Sequence, residues 1–225
     1  MRIGYKLATE AFGPAELIDQ AVRAEQVGFD FVEISDHFHP WLDSQGHSPF
    51  TWSVLGAIAA RTERIGLVTG VTCPSLRYHP AIIAQAAATM ALLSDGRFTL
   101  GVGAGERLNE HVTGQPFPSV QGRHERLREA LEIIRLLWSG GYHSYQGKHL
   151  QLDDARVFDQ PVRPTGVPPQ DLVAQRRQVL LDRALVEQEE DVDPAQRVDR
   201  LHGELIGVTG TDPDDQNLSH LVSVP

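Results

Sequence analysis

No aromatic side chain follows Phe158. All 15 Phe, Tyr and Trp residues of the 225-residue chain lie between Tyr5 and Phe158. Aromatic side chains are the largest single contributors to an apolar core, so the folded core is expected within residues 1–159. Residues 160–225 carry 12 acidic and 6 basic groups. They read as an atypical polar tail, helical over 170–188 or disordered. The two segments, 1–159 and 160–225, are taken as separate units.

The front segment alternates between two hydrophobic periods. Short apolar runs at Arg2–Leu7, Asp30–Ile34, Ile65–Thr69 and Phe98–Val102 read as strands. Between and after them, Pro14–Gly28, Thr51–Arg61, Pro80–Leu93 and Arg123–Trp138 carry helical spacing. Pro14 suits a first helical turn, and Gly28 suits the stop after the last. Strand–helix units in this order predict a parallel sheet buried on both faces. Four such units match half of a (β/α)8 barrel. An open doubly wound sheet fits the same periodicity.

Composition removes several function classes. With 20 Lys+Arg against 30 Asp+Glu the net charge is −10, and no basic cluster is present, so neither nucleic acid nor an anionic membrane surface is an expected partner. No apolar run approaches the ~20 residues of a membrane span. The opening Met1-Arg2-Ile3-Gly4-Tyr5 lacks a signal-peptide layout. The lone Cys73 cannot form an internal disulfide. Together these predict a cytoplasmic protein and say nothing of its activity.

Parallel βα folds bind ligands at the C-terminal ends of their strands. Three predicted strands end in unusual polar or glycine-rich sequence: Ser35-Asp36-His37-Phe38-His39-Pro40-Trp41, Thr69-Gly70-Val71-Thr72-Cys73-Pro74, and Gly101-Val102-Gly103-Ala104-Gly105-Glu106-Arg107-Leu108-Asn109-Glu110. Carboxylates and imidazoles meeting on one rim can form an acid/base pair. Glycines there let a flat or phosphorylated ligand approach the backbone. Each feature also has an ordinary structural explanation: a hydrogen-bonded loop anchor for the Asp-His pair, a tight turn for the glycines. His37 and His39 have the spacing of a His-x-His metal pair, but Pro40 ends any strand through them and no further ligands follow, so no metal site is expected.

These three runs, with Arg77-Tyr78-His79-Pro80-Ala81 and Ala84-Gln85-Ala86-Ala87-Ala88-Thr89-Met90, resemble the luciferase-like flavin and deazaflavin oxidoreductases. The likeness is to the branch of coenzyme-F420-dependent glucose-6-phosphate dehydrogenases and runs from Arg2 to Phe158. It implies a (β/α)8 barrel, a homodimer, and coenzyme F420 across the strand C-terminal ends. By that resemblance His37 and Glu106 are the acid/base pair and Trp41 lies over the reacting centre. Asp36, Gly70, Val71, Cys73, Ala104, Gly105 and Asn109 contact the coenzyme. The implied reaction is hydride transfer between a CH–OH or related group of a small-molecule substrate and C5 of the deazaflavin. An FMN-dependent oxidoreductase and a non-catalytic remnant are the alternatives.

The likeness ends near Val157-Phe158-Asp159. Val167-Pro168-Pro169 echoes the lead-in to a fifth strand, but polar, helix-forming sequence follows. The sugar-phosphate ligands of the family have no counterpart in it. The sequence is therefore expected to build a barrel truncated after four βα units, with strands one and four as open edges. A frameshifted or truncated gene copy would account for the change.

Overall fold

The structure, a computed structural model, describes residues 2–161 and 221–223; the expected helix over 170–188 lies outside the described residues. Four strands, β1 (Gly4–Leu7), β2 (Phe31–Ile34), β3 (Gly66–Thr69) and β4 (Phe98–Gly101), pair in parallel. Their spatial order is their chain order, β1-β2-β3-β4. A doubly wound sheet reverses that order at a switch point. Steady progression in one direction is how a (β/α)8 barrel is built, and these strands form its first half.

Helices α1 (Pro14–Val27), α2 (Thr51–Arg61) and α3 (Pro80–Leu93) make the crossovers. Pro14 opens α1, and Gly28 closes it in the left-handed region at φ 94°. Leu7, Val32, Ile34, Leu67 and Leu100 point from the sheet toward these helices and are fully buried. They meet Leu17 and Ala21 of α1, Leu55 and Ile58 of α2, and Ile83 and Ala87 of α3 in one core. Burial of each large aliphatic side chain contributes ~1.5–3 kcal/mol relative to exposure. Side chains alternate across a strand, so Lys6 and Glu33 fall on the opposite, inner face.

After β4 come a one-turn helix α4 (Arg107–Glu110) and the long α5 (Val120–Leu137). Helix α5 starts three residues before the sequence-predicted Arg123, because Ser119 Oγ caps it by accepting from the Gly122 amide at 3.2 Å. Trp138 Nε1 donates to the Ala84 carbonyl at 3.0 Å, tying the end of α5 to α3. An antiparallel hairpin, β5 (His143–Gln146) and β6 (Gln151–Ala155), follows and was not legible in the sequence. Glu129 of α5 holds its turn by accepting the amides of Lys148, His149 and Leu150. Finally β7 (Leu221–Ser223) pairs antiparallel with Thr99–Gly101. The outer edge of β4, expected to be open, is therefore occupied.

Candidate active site

The loops after β1, β2 and β4 bring a carboxylate–imidazole–carboxylate row together at the C-terminal ends of the strands. Glu10, three residues beyond β1, is buried, and its Oε1 lies 2.5 Å from His37 Nδ1. The other ring nitrogen, Nε2, is 3.9 Å from Glu106 Oε1. Burial pushes the Glu10 carboxyl upward, but the hydrogen bond and charge of His37, with backbone help, outweigh it and hold it below its ordinary value. An ionised carboxylate only accepts hydrogen bonds. The proton between the two residues therefore sits on Nδ1, which leaves Nε2, toward Glu106, as the ring nitrogen free to release or take up a proton. Trp41 packs its ring edgewise on His37, centroids 5.1 Å apart and planes at 83°. Trp41 and Glu106 are both solvent-accessible, whereas Glu10 is not.

Asp36 sits beneath this row and turns inward. Its side chain has no exposed surface. Oδ1 accepts from Arg77 Nη2 at 3.0 Å and Tyr78 OH at 3.1 Å; Oδ2 accepts from Thr72 Oγ1 at 2.8 Å and Trp52 Nε1 at 3.2 Å. Four donors fill the ~4 lone-pair sites of a carboxylate. Arg77 also donates to the Asp36 carbonyl at 2.5 Å and, through its own amide, to Glu110 Oε2 at 2.8 Å. Its Nε stands 3.9 Å from Glu110 Oε1. Burial raises the Glu110 carboxyl, and the amide and charge of Arg77 pull against that rise. One cation thus sits between two buried acids, joining the loops that follow β2, β3 and β4.

Asn109 of α4 is a second bracket between loops. It is fully buried. Its Oδ1 accepts the amides of Phe38 at 2.6 Å and His39 at 2.9 Å, and its Nδ2 donates to Glu106 Oε1. Next to it the β4 loop lies directly on the β3 loop. Gly105 has φ 82°, and a Cβ there would fall 2.7 Å from Cys73 Sγ and 2.9 Å from Glu110 Cγ. A Cβ on Gly103 would fall 2.7 Å from Val71 Cγ2. Cys73 is buried under Gly105, and loss of solvent pushes its thiol up to about 12, so it stays protonated. The peptide between Gly70 and Val71 is cis.

The sequence-predicted residues therefore divide. His37, Trp41, Gly70, Val71, Ala104, Gly105 and Glu106 keep accessible surface at the strand ends. Asp36, Cys73 and Asn109 are buried, and in Asp36 and Asn109 the polar atoms are taken by protein partners. In these three the side chains brace the loops at the strand ends. His37 and His39 take different partners: His39 stacks on His111, centroids 5.6 Å apart. Glu10, Arg77 and Glu110 were missed as site residues. Glu10 was the findable one, because it follows the first strand as His37 follows the second.

A model of the family described as luciferase-like monooxygenase matches residues 1–180. A relative from Amycolatopsis mediterranei, "F420-dependent glucose-6-phosphate dehydrogenase", is 47% identical over 168 residues, 74% of this chain and 50% of the relative. One of the same description from Kribbella flavida is 48% identical over 168 residues, again 74% of this chain and 50% of the relative. Among solved structures, an F420-dependent secondary alcohol dehydrogenase in complex with an F420-acetone adduct is 38% identical. The match covers 71% of this chain and 49% of that one, at a TM-score of 0.69. The coenzyme F420 dependent tetrahydromethanopterin reductase of Methanopyrus kandleri is 27% identical, covering 74% and 48%, at a TM-score of 0.61. The chain spans about half the length of the relatives it matches.

Proposed function

This chain belongs to the luciferase-like monooxygenase family, and from that premise we propose that it is an oxidoreductase that binds coenzyme F420 over the C-terminal ends of β1–β4. Its proposed reaction moves a hydride between a substrate CH–OH carbon and the coenzyme. The observation that carries the reading is the row Glu10–His37–Glu106 beside the accessible ring of Trp41. Relatives described as F420-dependent, at 38–48% identity, support the choice of coenzyme.

The residues present suit such a guest. Gly103 and Gly105 let the β4 loop close directly onto Val71 and Cys73 of the β3 loop, so the two loops form one continuous rim at the strand ends for a flat ring to lie against. Gly70, Val71, Ala104 and Gly105 would hold it through backbone contacts, with Asp36, Cys73 and Asn109 fixing the loops from behind. When bound, the deazaflavin supplies the two-electron hydride acceptor or donor. His37 Nε2, bearing the lone pair, is placed to take the hydroxyl proton as the substrate carbon is oxidised. Glu10 holds the imidazole in that tautomer and stabilises the imidazolium that forms. Glu106, the accessible acid, handles the second proton on the coenzyme side. Trp41 shields the reacting atoms from water and offers its face to developing positive charge.

Titration of coenzyme F420 fluorescence with the purified chain tests the proposal. Saturable micromolar binding is expected, with FMN and NADP giving no saturation at the same concentrations. Saturation by FMN alone would favour the FMN-dependent alternative. No binding of either by a folded chain would favour the non-catalytic remnant.

Among the described residues no helix is long and apolar enough to cross a membrane. We place the protein in the cytoplasm, where a buried free thiol such as Cys73 remains reduced. The assembly is proposed to be a homodimer, the second copy covering the outer side of α3, where Ile82 and Leu93 stand exposed. A helix apolar on both faces is one buried on both. Light scattering at micromolar concentration is expected to give twice the chain mass, and a monomer there overturns it.

A further inference from the structure

The parallel pairing of β3 with β4 slips by one residue where Gly70 and Val71 lie. Leu67 pairs with Phe98 and Val68 with Thr99, an offset of 31; the next bridge, Thr72 with Val102, has an offset of 30. One extra residue is thus carried on the β3 side between Val68 and Thr72. Bulges of this kind re-aim backbone and side chains, and they concentrate near sites of chemistry. On its β2 side the bulge stays in the ladder, because the Gly70 amide donates to the Ile34 carbonyl at 2.8 Å. Its carbonyl is taken by side chains: Lys6 Nζ at 2.9 Å and, more weakly, Ser35 Oγ at 3.4 Å.

Lys6 reaches that oxygen from two strands away. It is the register partner of Glu33, whose partner on β3 is Val68, so Lys6, Glu33 and Gly70 share the inner face of the sheet. Lys6 Nζ lies 2.7 Å from Glu33 Oε1. The Glu33 carboxylate in turn lies over Gly70, where a Cβ would come 2.3 Å from its carboxyl carbon. Gly70 is not among the glycines with positive φ, so space, rather than backbone freedom, is what requires glycine here. The next residue, Val71, packs its Cγ2 against the backbone at Gly103, so the placement of the bulge is passed on to the loop that carries Glu106.

We infer that Lys6 and Glu33 are positioning residues for the coenzyme site: the ammonium anchors the bulge carbonyl, and the carboxylate orients the ammonium while filling the space above Gly70. This rests on the reading of Gly70–Val71 as part of the coenzyme platform. An ion pair as exposed as this one, 47% and 37% at its two side chains, adds little to global stability. Its effect is local, on where one peptide group points.

Two measurements on the full chain test this. In F420 titrations, Lys6→Met is expected to weaken binding about tenfold, the scale of a lost charge-assisted hydrogen bond, with little change in melting temperature. Lys6→Arg, which keeps a cation, is expected to stay within about threefold of wild type. Unchanged affinity in Lys6→Met, with wild type binding normally, overturns the inference. The second measurement needs no coenzyme. Amide exchange at Gly70, whose N–H is held by the Ile34 carbonyl, is expected to speed up about tenfold or more in Lys6→Met, and Gly70→Ala is expected to lower the melting temperature in wild type but not beside Glu33→Ala. If wild type does not bind F420, the coenzyme reading fails by itself, and this second pair of results decides the brace. Unchanged Gly70 exchange, or equal loss from Gly70→Ala in both backgrounds, would overturn it.

Discussion

Arg77→Met is expected to lower the free energy of unfolding by ~3–5 kcal/mol, measured by urea denaturation at pH 7. The methionine occupies similar volume, so the loss is electrostatic rather than a cavity. Arg77 is the only cation within salt-bridge reach of Asp36 and Glu110 among the described residues, and both carboxylates are buried. Removing one partner of a buried pair leaves the other charge uncompensated, which costs far more than a surface pair contributes. Asp36 would keep Tyr78, Thr72 and Trp52 as donors. Glu110 would keep only the residue-77 amide.

The loss should also depend on pH, with a definite sign. Burial holds the folded-state carboxyl of Glu110 above its ordinary value even with Arg77 present. A raised carboxyl favours the protonated folded state, so its contribution is present at low pH and is lost as pH rises through the folded value. Without Arg77 that value rises further. Acidifying from pH 7 toward pH 5 should therefore narrow the gap between Arg77→Met and wild type. Glu10 acts with the opposite sign in both proteins. Its folded value is depressed, so its stabilisation is full above the ordinary carboxylate range and is lost as pH falls below it. A pH-independent gap near 1 kcal/mol would mean that solvent reaches the Asp36–Arg77–Glu110 cluster.

Much of the fold was legible because each element declares itself locally. Thr51–Arg61 and Pro80–Leu93 were predicted with the bounds observed; Pro80 fixes the start of the second by occupying its first turn. The hairpin at 143–155 was missed for a physical reason. Its strands, such as His143-Ser144-Tyr145-Gln146, show no apolar alternation and are held by side chains of α5, above all Glu129, that sequence periodicity does not register. In the site, His37 and Glu106 lie in polar runs past strand ends, and the family resemblance singled them out together with Trp41. Whether such a residue faces the opening or the protein is decided by tertiary partners. Asp36 and Asn109 stand close to His37 and Glu106 in the sequence, and each gives polar atoms to neighbours up to 71 positions away in the chain. Glu10 escaped notice because a single acid after Leu7-Ala8-Thr9 makes no motif.

Glu10 is therefore the residue whose replacement tests the proposed chemistry most sharply. Glu10→Gln keeps the shape of the side chain and removes the negative charge. The amide presents a donor and an acceptor, so either tautomer of His37 can be accommodated. The lone pair is then no longer held at Nε2, toward Glu106, and the imidazolium formed in turnover loses its counter-charge. Hydride transfer is expected to fall by ~10- to 100-fold, with F420 affinity within about threefold of wild type. His37→Ala and Glu106→Gln, which remove proton carriers outright, are expected to cost ~100-fold or more. Residues acting as one unit are not additive in their loss, so Glu10→Gln should cost almost nothing further in the His37→Ala background. Steady-state turnover and F420 titration on wild type, Glu10→Gln, His37→Ala and the double variant separate the cases. Full additivity would assign Glu10 a separate role, and wild-type turnover in Glu10→Gln would remove the carboxylate–imidazole pair from the mechanism.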